Sequence, residues 1–341
     1  AGVDLASAGR FTVTSCRLNV VLTGISVADP RGVLVENTEV SAINFIAGSM
    51  GIRLGNPPVT TPSSVAMACG CTVTGFDIGV SIGGEAPTVT GCKVFPGTNA
   101  TVGIIVGPST DAVVSGNLVD CDQNAGLVGL RADASSADIT GLKVTNNTFF
   151  GARAYGIDLQ GSVQESVVSG NVIDCNDTSN PNDPAALAGI YVHVAGAPTR
   201  VPSYLTVSGN VVWRARTGIV LEGGGVTTPI LEVAATGNVV HHCAVGVAGS
   251  PTTLFETSTG IGAVHCAGLN LSANEVYGIG AILTDAGAVV QPTPADVYAN
   301  GVYLQYCTSS AVVGNRVADL QPKGGGKVAG IYSETPGSVT F

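Results

Sequence analysis

Arg131, Asp133, Asp158, Gln160, Tyr191, His193 and Glu222 stand at equivalent places in a recurring phrase: Gly, apolar, x, apolar, x. The copies that carry them begin at Gly129, Gly156, Gly189 and Gly218. Successive side chains of a strand point to opposite faces, so the two x positions share a face that the apolar positions avoid. Laid side by side, the copies make two columns. One reads Arg53, Ser81, Ile105, Arg131, Asp158, Tyr191, Val220; the other, two residues on, reads Asp133, Gln160, His193, Glu222. Neighbours in a column would lie ~4.8 Å apart, which gathers the seven into one outward polar patch. Asp158 and Asp133, one layer apart, would suit the ~5 Å spacing of retaining glycosidases. Asp158 and Glu222, two layers apart, approach the ~6.5–9.5 Å of inverting ones. Arg131 with His193 or Tyr191 offers the cation and base that a lyase needs, and Tyr191 can stack on a sugar ring. The catalytic candidates are therefore Asp158, Glu222, Asp133, Arg131 and His193. Without chemistry, the same residues read as an exposed ion pair worth ~0–1 kcal/mol and as charges that keep a sheet face soluble.

What must position them is a second phrase, a β-branched or apolar stretch followed by Ser/Thr-Gly-Asn and another apolar residue. It occurs at Asn117, Asn171, Asn210 and Asn238, with weaker copies at Asn147, Asn274 and Asn315. The steps between these Asn residues are 30, 24, 39, 28, 36 and 41. A constant core phrase with variable spacers is the mark of a solenoid. Gly-Asn followed at once by a strand argues against hairpins, which favour Asn-Gly. The Asn tolerates a left-handed backbone and would bend the chain once per coil. Stacked on its equivalents, it would form a structural ladder through Asn117, Asn147, Asn171, Asn210, Asn238, Asn274 and Asn315.

Composition agrees. Charged residues are 11% and Gly numbers 47, against about 25% charged in ordinary domains. No helical periodicity of useful length occurs. No apolar run reaches the ~20 residues of a membrane helix. Net charge is −10 with 14 scattered Lys and Arg, which excludes a basic nucleic-acid face. The nine cysteines read as buried thiols rather than disulfides: Cys121 and Cys175 would be separated by a coil carrying Gly151, about 10 Å apart. Cys69 and Cys71 would share one face. His241-His242-Cys243 is the one local ligand cluster, but adjacent strand residues face opposite ways, so no metal is expected, nor any cofactor.

These phrases resemble the parallel β-helix repeat family, the right-handed pectate-lyase-like solenoids, over about Val33 to Tyr332. The resemblance implies an all-β fold, a single-stranded right-handed parallel β-helix of about 10–12 coils, roughly 50–60 Å long at ~4.8 Å per coil. One elongated domain over 1–341 is expected, processed or part of a longer chain, with less regular ends at 1–32 and 333–341. Asn176–Ala188, Ala195–Ser203, Gly249–Thr259 and Thr284–Asp296 are expected loops, where binding often resides.

In that family the long sheet and its loops commonly bind polysaccharide, in lyases, hydrolases and phage tailspikes. The hallmark phrases of polygalacturonases, pectate lyases and alginate epimerases are missing here. The expectation is a non-catalytic surface or extracellular scaffold or fibre segment that binds glycan through Arg131, Asp133, Asp158, Gln160, Tyr191, His193 and Glu222. The alternatives are a polysaccharide lyase or glycoside hydrolase, or a tailspike-like glycan-binding module. The expected partners are a polysaccharide or cell-surface glycan and further copies in an oligomer, with no nucleic acid and no membrane insertion. The thiols fit folding in a reducing cytoplasm before release to the cell or particle surface.

Overall fold

The computed structural model describes residues 2–5, 10–28, 31–55, 65–121, 128–175, 186–195, 201–244, 257–283, 289–290, 297–334 and 339–341. Most of each loop expected from sequence lies outside these residues. Each winding carries three strands. In one of them Tyr155–Gln164 turns at Glu165 into Val167–Ser169, which bends at Gly170 and Asn171 into Val172–Asp174. These strands pair in parallel with their equivalents one winding on. Among the described strands the short pair Ile282–Leu283 and Val289–Val290 is antiparallel and stands apart from the stack. The third strands alone form an eleven-stranded sheet in strict chain order. This is the all-β parallel solenoid the repeats imply. Residues 1–32, expected to be less regular, already carry stacked strands: Phe11–Thr14 pairs with Val33–Glu36, and Arg17–Val20 with Glu39–Ala42.

The interior is a set of aliphatic columns. Leu130, Ile157, Ile190, Ile219, Ile261 and Val302 follow one another in register, and all are fully buried. The Gly that opens the long-strand phrase is required by closeness from Gly24 through Gly301. A Cβ on Gly189 would lie 2.1 Å from Val212 Cγ1 and 2.9 Å from the Gly218 carbonyl oxygen. Only a missing side chain lets the first and third strands of a winding approach so closely.

The seven repeat Asn residues run in file. At each step Nδ2 and the backbone N–H of one Asn both donate to Oδ1 of the next, at 2.8–3.1 Å. Nδ2 also donates to a carbonyl of the previous winding, as Asn171 does to Val144 at 2.9 Å. The bend itself is not made by these Asn. The left-handed residue is the one before: Gly116, Asn146, Gly170, Gly209, Gly237, Ala273 and Gly314, with φ from 53° to 64°. Gly takes the conformation at little cost, and this frees the next side chain to turn inward, where it satisfies the backbone of the bend.

All nine cysteines are free thiols, seven of them buried and Cys16 exposed. Burial pushes Cys175 well above its ordinary range and Cys243 up to about 12. The winding bearing Gly151 does separate Cys121 from Cys175, since the Cys121 N–H bonds Phe150 and the Gly151 N–H bonds Asp174. Cys69 and Cys71 do not share a face. Gly70, at φ 59°, turns the chain between them, so Cys69 stays partly exposed and Cys71 goes inside.

Candidate functional site

Four neighbouring long strands carry the seven candidates: Val128–Thr140, Tyr155–Gln164, Ala188–His193 and Thr217–Glu222. The two columns form as expected. Arg131 faces Asp158, Asp158 faces Tyr191 and Tyr191 faces Val220; Asp133 faces Gln160, Gln160 faces His193 and His193 faces Glu222.

The patch is less open than period-two alternation suggests. Asp158 is only 1% exposed and Val220 not at all. Arg131 Nε donates to Asp158 Oδ2 at 2.8 Å, and His193 Nε2 lies 3.1 Å from Asp158 Oδ1. The carboxylate thus sits beneath its two partners, whose side chains are 29% and 19% exposed. The Tyr191 hydroxyl donates to Glu222 Oε2. Its ring stacks on His193 at 4.1 Å and 8°, and tilts against Tyr155 at 4.9 Å and 32°. Ala188, Tyr191 and Val220, with Tyr155, Val264 and Tyr303 against them, make a second apolar cluster on the outside of the sheet. Alternation sends a side chain outward, but large rings on adjacent strands then cover one another.

Electrostatics follow from this packing. Burial, then the Glu222 carboxylate, raises the Tyr191 phenol far above its ordinary value, so it remains a donor. Burial also raises Tyr155, with Asp158 adding to it. Burial opposes ionisation of Asp133. The hydrogen bonds from Ser135 and Gln160 and the Arg131 charge outweigh it, and the carboxyl lies below its ordinary value. Ser135 supplies two of those bonds, Oγ at 2.6 Å and N–H at 3.1 Å. The carboxylates proposed for glycosidic chemistry are therefore engaged. Both oxygens of Asp158 are held, Glu222 is held by Tyr191, and Asp133 stands opposite Gln160 rather than opposite another acid. What the arrangement does offer is an ordered set of charged, hydroxyl and ring edges on a rigid sheet.

A second row of rings lies on the eleven-stranded sheet. Trp213 stacks on His241 at 5.3 Å, and His241 on Tyr277 at 4.9 Å and 2°. Beside them Asp174 accepts two hydrogen bonds from Arg214. Each of these three rings is the third residue after a repeat Asn, a period visible in the sequence but not used above. Their faces cover one another, which leaves edges rather than a stacking platform. His241 and His242 do not point apart. His242, just past the strand, is left-handed at φ 51°, and the two Nδ1 atoms meet at 2.9 Å. The ring centroids are 5.2 Å apart, so little more than the two ring radii is added to the nitrogen gap. The nitrogens point head-on at one another, the geometry of an N–H···N bond rather than of a chelate. Among the described residues no group of three or more His, Cys, Asp or Glu converges as metal ligands.

Solved structures share this architecture. The A-module of mannuronan C-5 epimerase AlgE6 from Azotobacter vinelandii superposes with a TM-score of 0.57 at 13% identity, covering 96% of this chain and 92% of that one. Tailspike protein 3 of bacteriophage CBA120 gives 0.56 at 14% identity, with 97% of this chain covering 52% of the tailspike. The Streptococcus pneumoniae surface protein and adhesin PfbA gives 0.51 at 9%, covering 97% and 90%. At such identities the likeness is one of fold. No curated protein sequence matches the chain. The family model for the right-handed β-helix region matches residues 1–173, more than half of the 341, and with the stacked parallel windings and inward Asn file this places the chain in the right-handed β-helix family.

Proposed function

We propose that this chain is a non-catalytic, glycan-binding β-solenoid of a cell or particle surface, and that it holds polysaccharide on the long sheet around Arg131, Asp133, Asp158, Gln160, Tyr191, His193 and Glu222. One observation carries the reading. In a chain with 11% charged residues, these side chains gather on four adjacent strands, yet both oxygens of Asp158 are already held by Arg131 and His193. That suits recognition better than hydrolysis, which needs one free carboxylate on each side of the bond. An adhesin and a phage tailspike of the same fold are consistent with a surface role.

A second reading has its own support. Asp158 orients His193, and Arg131 and Tyr191 stand beside them, the residue types used to remove a proton next to a sugar carboxylate. A glycan array paired with an assay for released reducing ends and unsaturated products separates the two. The binding reading expects a retained glycan, no product, and at least a tenfold loss of binding in His193→Ala and Arg131→Ala, with circular dichroism showing that the fold is kept at the assay temperature. Retention unaffected by both substitutions removes this face from consideration. Product formation abolished by His193→Ala establishes the enzyme instead.

A further inference from the structure

The charges on this face also select among glycans, an argument that rests on the binding reading above. Four carboxylates, Asp133, Asp138, Asp158 and Glu222, share four adjacent strands with one guanidinium, Arg131. That guanidinium is already committed to Asp158 at 2.8 Å. The cluster of Arg131, Asp133, Asp158, His193 and Glu222 therefore carries a formal charge of minus two with His193 neutral, and minus one with it protonated. Groups on adjacent strands lie ~4.8 Å apart, inside the ~8 Å screening length of physiological salt, while Glu222 stands three strands from Arg131. The chain as a whole, at −10, adds repulsion of the same sign. A uronate or sulfate approaching Arg131 meets a cation whose charge Asp158 already offsets, and a further anion, Asp133, on the same strand. A sugar hydroxyl or ammonium meets carboxylate acceptors and the edges of Tyr191 and His193.

We propose that the Arg131–Glu222 face takes neutral or amino-bearing glycans and rejects uronate and sulfated ones. Relatives of this fold that handle polyuronates would need the opposite balance, an uncommitted cation.

The test immobilises chitohexaose, its de-acetylated amino form, oligogalacturonate and a sulfated glycan, and measures retention of the full chain at low and at physiological salt. The expected result is binding to the neutral and amino forms at least tenfold tighter than to either anionic form, with the amino form alone losing affinity as salt rises. In the double variant Asp133→Asn/Glu222→Gln the anionic glycans should gain affinity and the amino form lose it; circular dichroism checks that the fold is kept. Equal or tighter binding of oligogalacturonate by the unaltered chain overturns the inference and leaves the glycan-binding reading standing. Retention of no glycan in any arm overturns that reading, and the inference with it.

Discussion

Replacing Asn171 by Ala should show what the inward Asn file contributes. Asn171 Oδ1 accepts from the backbone N–H of Asn147 at 2.9 Å and from its Nδ2 at 3.0 Å. Asn171 Nδ2 donates to the Val144 carbonyl and to Asn210 Oδ1, both at 2.9 Å. Alanine removes all four bonds. Asn210 Oδ1 keeps a donor, the Asn171 backbone N–H at 3.0 Å. The two Asn147 donors and the Val144 acceptor each lose the bond that Asn171 made. Asn147 Nδ2 keeps its bond to the Val114 carbonyl, so at ~1–3 kcal/mol for each buried group left unpaired the Asn147 N–H and the Val144 acceptor put the gross cost at about 2–6 kcal/mol. A water entering the vacated amide volume would satisfy part of it, which leaves about 2–4 kcal/mol, a substantial share of a stability of ~5–15 kcal/mol. Urea unfolding followed by circular dichroism measures the loss, with Ser169→Ala in the same winding as the control. Hydrogen exchange at Asn147 tests whether the loss is local, as nearest-neighbour stacking requires. Asn171→Asp sharpens the test. It keeps the acceptor for Asn147 but sets a carboxylate oxygen against two other acceptors, so the fold favours the protonated acid. The native variant then binds more protons than the unfolded chain, and its stability should fall as pH rises above the ordinary Asp value of ~3.9. A loss under about 1 kcal/mol in the alanine variant, or an aspartate variant that gains stability with pH, would refute the reasoning.

Two further outcomes follow from other contacts. Gly189→Ala sets a Cβ 2.1 Å from Val212 Cγ1, so it should cost ~1–3 kcal/mol by overpacking and lower the melting temperature, whereas Gly330→Ala, with nothing within 4 Å, should be near neutral. Burial, with His242 and Arg214 adding to it, lowers His241 to about 4. The unfolded chain therefore binds the proton first, and stability should be full above ~6.5 and decline as pH falls towards about 4; His241→Phe, which keeps a ring between Trp213 and Tyr277, should flatten that decline in thermal melts.

The register of the long sheet was legible because each strand opens on the same Gly and alternates with period two from there. Arg131, Asp158 and Tyr191 could be aligned without coordinates for that reason. The Asn file was legible in the same way, but its mechanism was misassigned. Both residues of Gly-Asn suit a bend, and only the backbone shows that Gly170 turns while Asn171 fills. Burial of Asp158 and Val220 was not legible. Alternation sets direction only, and cover depends on how far Arg131, Tyr155, Tyr191 and His193 reach across neighbouring strands. The His241–His242 contact was missed for a local reason: facing rules hold inside a strand, and His242 is the first residue beyond one. The Trp213, His241 and Tyr277 row needed no structure, only the count of three from each repeat Asn.

The chain has a single tryptophan, and it is held against an imidazole on the narrow sheet. Its emission therefore reports one winding rather than the molecule. Loosening that begins at either end of the stack would leave the fluorescence untouched until it reached this level, while backbone signals had already changed. Comparing the two signals during denaturation would reveal whether the solenoid comes apart in one step or peels coil by coil.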